Sequence, residues 1–397
     1  MSRTRNLVKT FLPGWCGLIA LLISFLATTN SGHPLYIRAC LIIGAMFVVM
    51  FAVEAALSIW GDFGLLSAPS QRPFDLGRVL IKVTGWVVTV SCVASAYWIF
   101  PEYLTSFYIP YYQALAVCWP YLAGFFLFCI LWEDVRGVKA HDDYYWVGYS
   151  LLCFKFDVLK NVNLKQHFLA WVVKLYFLPL MFIYLVNYLG YHFNHQDFWG
   201  SYDSIYNSIY LVDTAFVCVG YVFANNLTDT QIRSSDPTML GWACCIICYQ
   251  PIWSTIGSCY LNYGSPWGLW LGQYTGLRVI WAGLIVLCWF LYIWATISFG
   301  SRFSNLTHRG ILTCGPYAYL RHPAYVGKLA SYFLMYIPFV GKDLITTVRY
   351  CIIWVLLAGV YYLRARTEEA HLRSLGPEYD IYAKQVAENW KKLVRAS

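Results

Sequence analysis

Residues 37–60 read IRACLIIGAMFVVMFAVEAALSIW, with Arg38 and Glu54 as the only charges. At 1.5 Å per residue a helix of this length extends about 36 Å. A hydrocarbon core about 30 Å thick is crossed by roughly 20 apolar residues, so this stretch is long enough to span a bilayer. The pattern repeats in both directions. Further apolar runs occupy 12–29, 79–99, 111–132, 167–190, 204–224, 239–258, 277–299, 323–340 and 343–363, which makes about ten candidate spans. The least regular are 239–258, broken by Pro251 and Gly257, and 323–340, which begins and ends near prolines. The first run lacks a small-x-small cleavage pattern and is followed by many others, so it is expected to stay as a span. The fold class expected is all-α, a polytopic transmembrane helical bundle, because helices satisfy their own backbone in lipid.

Composition agrees. Of 397 residues, 12% are charged, about half the usual share in soluble domains, which is too few to cover a water-facing surface. The 18 Trp and 33 Tyr suit interfacial belts. The net charge of +8 does not indicate nucleic acid, since no basic stripe interleaves with stacking aromatics. Lys and Arg concentrate instead in alternate connections between apolar runs, including Arg3, Arg5 and Lys9, then Arg72, Arg78 and Lys82, then Arg302, Arg309, Arg321 and Lys328. Only Arg38, Lys174, Arg278, Lys342 and Arg349 fall elsewhere. This is the positive-inside bias, and it predicts a multi-pass protein with both termini cytoplasmic and a cytoplasmic C-terminal helix.

Most of the fourteen cysteines sit inside apolar runs, where Cys behaves as a small hydrophobe. Cys244, Cys245 and Cys248 have no neighbouring His or second Cys pair, so packing is expected and no zinc. Tyr144–Phe156, within the polar stretch Glu133–Gln166, reads as a helix lying along the cytoplasmic surface. Glu54, Lys174 and Asp213 lie in apolar spans, where charge is costly and invites a functional explanation. Glu54 is expected to pair with a basic residue of the bundle, and Lys174 to snorkel. Asn226-Leu227-Thr228 and Asn305-Leu306-Thr307 match the glycosylation pattern but fall on expected cytoplasmic loops.

The segment with chemical character is Gly300–Tyr325, GSRFSNLTHRGILTCGPYAYLRHPAY. It interrupts the spans with a polar loop punctuated by Gly310, Gly315, Pro316 and Pro323. Irregular backbone at this depth needs partners from protein, water or ligand, glycine admits close approach, and Arg or His can hold a carboxylate or phosphate. Farther on, Arg364 and Glu368 are four apart and share a helix face. Together the two segments predict a cytoplasm-facing polar pocket.

At these residues the chain resembles a known family. Gly315-Pro316-Tyr317, Arg321-His322-Pro323, Tyr325 and Gly327, then Arg364-x-x-x-Glu368-Glu369 and Gly376-x-x-Tyr379-x-x-Tyr382 resemble the isoprenylcysteine carboxyl methyltransferase and phospholipid methyltransferase superfamily, over about 300–386. The resemblance implies an S-adenosylmethionine cleft opening to the cytoplasm, with a lateral entry for a lipidic or prenylated acceptor. Carried over by position, Arg309, Gly310, Ile311, Leu312, Tyr317, His322, Pro323, Ala324 and Tyr325 would line the cofactor site. Glu368 would hold the cofactor's amino or ribose groups, and Arg364 would orient the acceptor by gripping a carboxylate. Arg309 stands where some relatives have His. A carboxylate acceptor needs no base; an amine or hydroxyl would need a proton sink, for which His322 or Glu369 would serve. Glu369 otherwise reads as a solvated face with Arg366 and Arg373, and Tyr379 and Tyr382 as packing for a tail helix on the membrane surface.

The expected organisation is a bundle of unknown role over 1–275 and a methyltransferase-like membrane domain over 276–397. Two other readings stay open. A sterol-type reductase using a nicotinamide cofactor shares this architecture, but with a tail pattern that Glu368-Glu369 does not match. A transporter or lipid-binding scaffold would account for the long N-terminal bundle, although the sequence has no internal repeat.

Overall fold

The computed structural model describes residues 7–8, 10–61, 66, 73–137, 139–194, 202–257 and 265–396. Arg3, Arg5, Lys9 and Arg72, part of the charge bias, lie outside the described residues, as does the last residue of the run 239–258. The main helices are α1 (Leu12–Thr28), α2 (Leu35–Trp60), α3 (Leu76–Ile99), α4 (Ile109–Val135), α5 (Asp143–Leu152), α6 (Leu164–Asn194), α7 (Tyr202–Val222), α8 (Met239–Ile246), α9 (Thr275–Phe299), α10 (Pro323–Met335), α11 (Leu344–Ser374) and α12 (Glu378–Ala396). Among the described residues six two-residue strands pair as β1 (Leu7–Val8) with β5 (Ile311–Leu312), β2 (Ser234–Ser235) with β4 (Thr307–His308), and β3 (Ser265–Pro266) with β6 (Tyr336–Ile337). The molecule is an all-α membrane bundle.

Helix starts follow their side chains. Asp75 accepts from the backbone N–H groups of Gly77 at 2.8 Å and Arg78 at 3.2 Å, and Asp343 from that of Thr346 at 2.8 Å, satisfying donors that no helical carbonyl reaches. Seven described helices are long and apolar enough to cross a membrane, and α1 is a shorter apolar helix of 17 residues. The expected ten therefore includes two runs that do not form long helices. The run 239–258 holds α8 and a short π-helical turn at Trp253–Gly257, with Gln250–Pro251 between them, where proline lacks an N–H to continue a helix. The run 323–340 is a helix of 13 residues, leading into β6 and then Pro338.

α6 and α7 are the most enclosed spans, and their contact with α2 carries the main core around Phe177, Leu185, Phe216 and Met46. α1 turns Ile19, Leu22, Ile23 and Leu26 outward, a lipid-facing stripe. α11 is 31 residues long, about 46 Å. This exceeds the hydrocarbon core, so its final turns emerge carrying Arg364, Glu368 and Glu369.

The charges expected to need explanation inside spans find partners. Glu54 meets Arg302 at 3.4 Å and accepts from the Ser301 hydroxyl at 3.1 Å. Asp213 accepts from the Thr296 hydroxyl at 2.8 Å, and Lys174 lies 5.1 Å from the Trp171 ring centroid. Lys82 is buried between Glu133 at 3.3 Å and Asp142 at 3.0 Å.

The helix expected within Tyr144–Phe156 forms over Asp143–Leu152 and packs on α3. α5 lies directly on α3 because Gly85 and Gly148 oppose each other's backbone: a Cβ on Gly85 would run into the Tyr144 carbonyl, and one on Gly148 into the Ile81 carbonyl. Two glycines thus allow helix axes to approach closely, leaving Leu152, Phe154 and Phe156 exposed at the far end. Gly85→Val should force the helices apart and cost about 1–3 kcal/mol or more, read as a lowered thermal midpoint in detergent. Gly44→Ala, where nothing lies within 4 Å of the added carbon, should instead leave stability unchanged or raise it by up to about 1 kcal/mol.

Candidate functional site

The loop after α9 begins with Gly300 at φ +54°, a left-handed residue beside the backbone of Gly14, where glycine carries no steric penalty. Arg302 then turns inward to Glu54 and donates to the Asp229 carbonyl. β4 pairs with β2 in the register Ser234↔His308 and Ser235↔Thr307. Arg309 is 2% exposed, and its guanidinium donates to the carbonyls of Thr230 at 2.8 Å, Gly220 at 2.9 Å and Phe303 at 3.0 Å. Burial and the neighbouring Arg302 push its pKa down to about 9, so it stays cationic at neutral pH. β5 pairs in parallel with β1, and the Thr313 N–H donates to the Val8 carbonyl at 2.9 Å. Gly315, at φ +60°, opens a short turn where a Cβ would crowd the Ser298 hydroxyl.

His322 ends this loop and α10 starts at Pro323, a residue suited to a first helical position. Here the loop meets the emerging end of α11. His322 Nε2 lies 3.1 Å from Glu369 Oε1, and His322 Nδ1 lies 3.8 Å from Glu368 Oε2. Arg321 pairs with Glu369 at 2.9 Å, and Arg373 reaches the same carboxylate at 3.0 Å. The Tyr325 hydroxyl donates to Glu368 Oε1, and the Tyr325 ring lies parallel to the His322 ring at 5.5 Å. One turn before Glu368, the Arg364 guanidinium sits 5.0 Å from the Tyr325 centroid and 5.8 Å from that of Tyr361. It donates to Asn305 Oδ1 at 3.3 Å. Arg364 is only 5% exposed, and its Nε has no hydrogen-bond partner among the described residues.

Of the residues expected from the sequence, the structure brings together His322, Tyr325, Arg364 and Glu368. Arg309, Ile311, Leu312 and Tyr317 turn their side chains elsewhere. Arg309 is occupied by carbonyls, Ile311 packs on Tyr379, Tyr382 and Val386, and Leu312 and Tyr317 pack on Val8 and Ala295. Pro323 is buried and Ala324 adjoins that same cluster, while Gly310 sits at φ +106° between the two strand pairs. An apolar cavity of about 320 Å³, lined by Trp15, Ile209, Phe290 and Ile297 among others, involves none of these residues.

Two readings need correction. Glu369 is no solvated face: its side chain is 4% exposed and holds three basic partners, while Arg366 stays outside. Tyr379 and Tyr382 pack the tail helix α12 against the loop, and burial pushes both phenols up. Tyr382 donates to the Tyr317 carbonyl at 3.0 Å, and Asn389 donates to that of Ala318 at 3.0 Å. The spacing Tyr379, Tyr382, Val386 is a helical stripe that does not by itself say what it faces. Asn305 and Leu7–Val8 carried no sequence signal for their roles.

Glu369→Gln should loosen the loop from α11, lowering stability by about 1–3 kcal/mol given its half-exposed arginine partners, measured by thermal unfolding. A second expectation concerns pH. Burial and the nearby Arg233 hold His308 down to about 4, against about 6.5 in an unfolded chain. The stability is therefore fully present above about 6.5 and is lost as pH falls toward 4. His308→Gln should flatten that part of the thermal midpoint's pH profile.

No curated protein and no solved structure matches the chain. Residues 278–374, which contain almost all of α9, the loop, α10 and all of α11, match the model of the Isoprenylcysteine carboxyl methyltransferase (ICMT) family. That segment, about a quarter of this membrane protein, is thus similar to a family of methyltransferases.

Proposed function

We propose that the protein is a membrane-embedded, S-adenosylmethionine-dependent methyltransferase acting on the carboxylate of a lipidic or prenylated amphiphile. The observation that carries this reading is the meeting of Glu368 and Arg364 with the His322–Tyr325 turn, the two charges one helical turn apart on α11. Glu368 has a partly open carboxylate, suited to accept from a ribose diol or ammonium. Arg364 has an N–H unpartnered among the described residues, on a side chain cut off from water, suited to an anionic acceptor. The aromatic faces of Tyr325 and Tyr361 favour cations. Because Arg309, Ile311, Leu312 and Tyr317 have committed their side chains elsewhere, the loop's contribution to the cofactor would come from its backbone.

When bound, S-adenosylmethionine supplies a methyl group already activated on a sulfonium. Arg364 would hold the acceptor carboxylate, and transfer of that methyl to the carboxylate oxygen would give a methyl ester and S-adenosylhomocysteine with no proton for the chain's residues to dispose of. Alignment and exclusion of water are worth up to about 7–11 kcal/mol in favourable intramolecular cases. His322 and Glu369 hold the turn in place rather than moving protons. The charge bias of the connections supports a site facing the cytoplasm.

S-adenosylhomocysteine at 100 times its dissociation constant should stabilise the detergent-solubilised chain by about 2.7 kcal/mol if it binds only the folded state. Glu368→Ala should abolish that response and leave the bundle folded. Stabilisation by NADPH instead would favour the reductase, and indifference to both would favour a scaffold; either result would overturn the proposal. Lipid extract incubated with methyl-labelled cofactor should yield a base-labile, ester-linked product by mass analysis.

A further inference from the structure

One turn along α10 from Tyr325 stands Lys328. Three residues advance about 4.5 Å along a helix and return to within about 60° of the same direction, so Lys328 continues the face on which Tyr325 meets Arg364. Its Nζ lies 5.6 Å from the Tyr210 ring centroid and 5.3 Å from that of Tyr292. Among the described residues no oxygen hydrogen-bonds this ammonium and no carboxylate pairs with it. Asp213 attracts it and Arg364 repels it, but Asp213 is already engaged by Thr296 at 2.8 Å. An ammonium has three donors, and ring faces satisfy its charge only in part. Two cations with spare donors therefore line one wall below Glu368, where unpaired charge is costly.

The charges at this wall are Arg364 and Lys328 against Asp213 and Glu368, a balance of zero. S-adenosylmethionine carries one net positive charge, so the loaded site has an excess of one and matches a single anion. Without Lys328 the loaded site would be neutral and the anion unbalanced.

Building on the methyltransferase reading, we propose that Lys328 is a positioning and specificity residue that holds the acceptor's carboxylate jointly with Arg364. The site thereby selects acidic amphiphiles over uncharged or cationic ones. Removal of Lys328 would leave the donor's cleft intact and blunt that selection.

The test compares binding of N-acetyl-S-farnesylcysteine with that of its uncharged carboxamide, in the presence of S-adenosylhomocysteine, to the full-length chain in detergent. Wild type should prefer the acid by roughly 10–100-fold, as expected for one charged hydrogen bond. Lys328→Met should lose most of that preference with the amide's affinity unchanged, and Lys328→Arg should restore it. Both variants should keep the thermal response to S-adenosylhomocysteine. An unaltered acid-to-amide ratio in Lys328→Met would overturn the proposal, as would equal weakening of both probes, which marks a packing role. A wild-type chain indifferent to S-adenosylhomocysteine that still prefers the acid through Lys328 would sink the methyltransferase reading and leave the anion site standing.

Discussion

The carboxylate of Glu369, shut away from water and held by His322, Arg321 and Arg373, is the contact on which the rest of the site depends. A buried charge is tolerated only when paired and hydrogen-bonded, so the loop and the end of α11 satisfy this group by coming together. Its neighbour Glu368 shares the same helix and almost the same sequence context, yet has a different environment. It is contacted by Tyr325 and His322 on one side and keeps 29% of its side chain open. One glutamate is saturated and fixes the geometry; the other stays partly open.

The loop that carries His322 is irregular backbone between membrane helices, and its polar groups must find partners. They come from several directions. Glu54 of α2 receives Arg302, the α7 end and the following turn receive Arg309, β1 augments β5, and α12 covers the turn through Tyr382 and Asn389. These contacts cross the expected boundary at residue 275. The N-terminal bundle therefore contributes directly to holding the C-terminal site, whatever else it does.

Much of the bundle was legible because hydrophobic length is a one-dimensional property. The runs at 37–60, 79–99, 167–190 and 277–299 became helices of nearly those bounds. Runs at 239–258 and 323–340 were misjudged because mean hydropathy does not register where proline breaks the backbone ladder. Side-chain roles were harder. Arg302, Arg309 and Lys328 counted together as loop charges, yet Arg302 and Arg309 are buried among carbonyls and a carboxylate, and Lys328 lies over two rings. Glu369 looked solvated because Arg373 sits one turn away on its own helix; its deciding partners, Arg321 and His322, come from another part of the chain.

The sequence by itself determined that this chain lives in a bilayer, and that two polar blocks near its C-terminus resemble those of a methyltransferase family. Those facts follow from composition and from residue types at fixed local spacing. Tertiary structure alone decided which glutamate is buried and which is open, that Arg309 is a clamp on backbone carbonyls, and that Tyr379 and Tyr382 face the loop instead of lipid. The reason is physical: burial and pairing depend on neighbours dozens or hundreds of residues away, and only the packed chain brings them within reach.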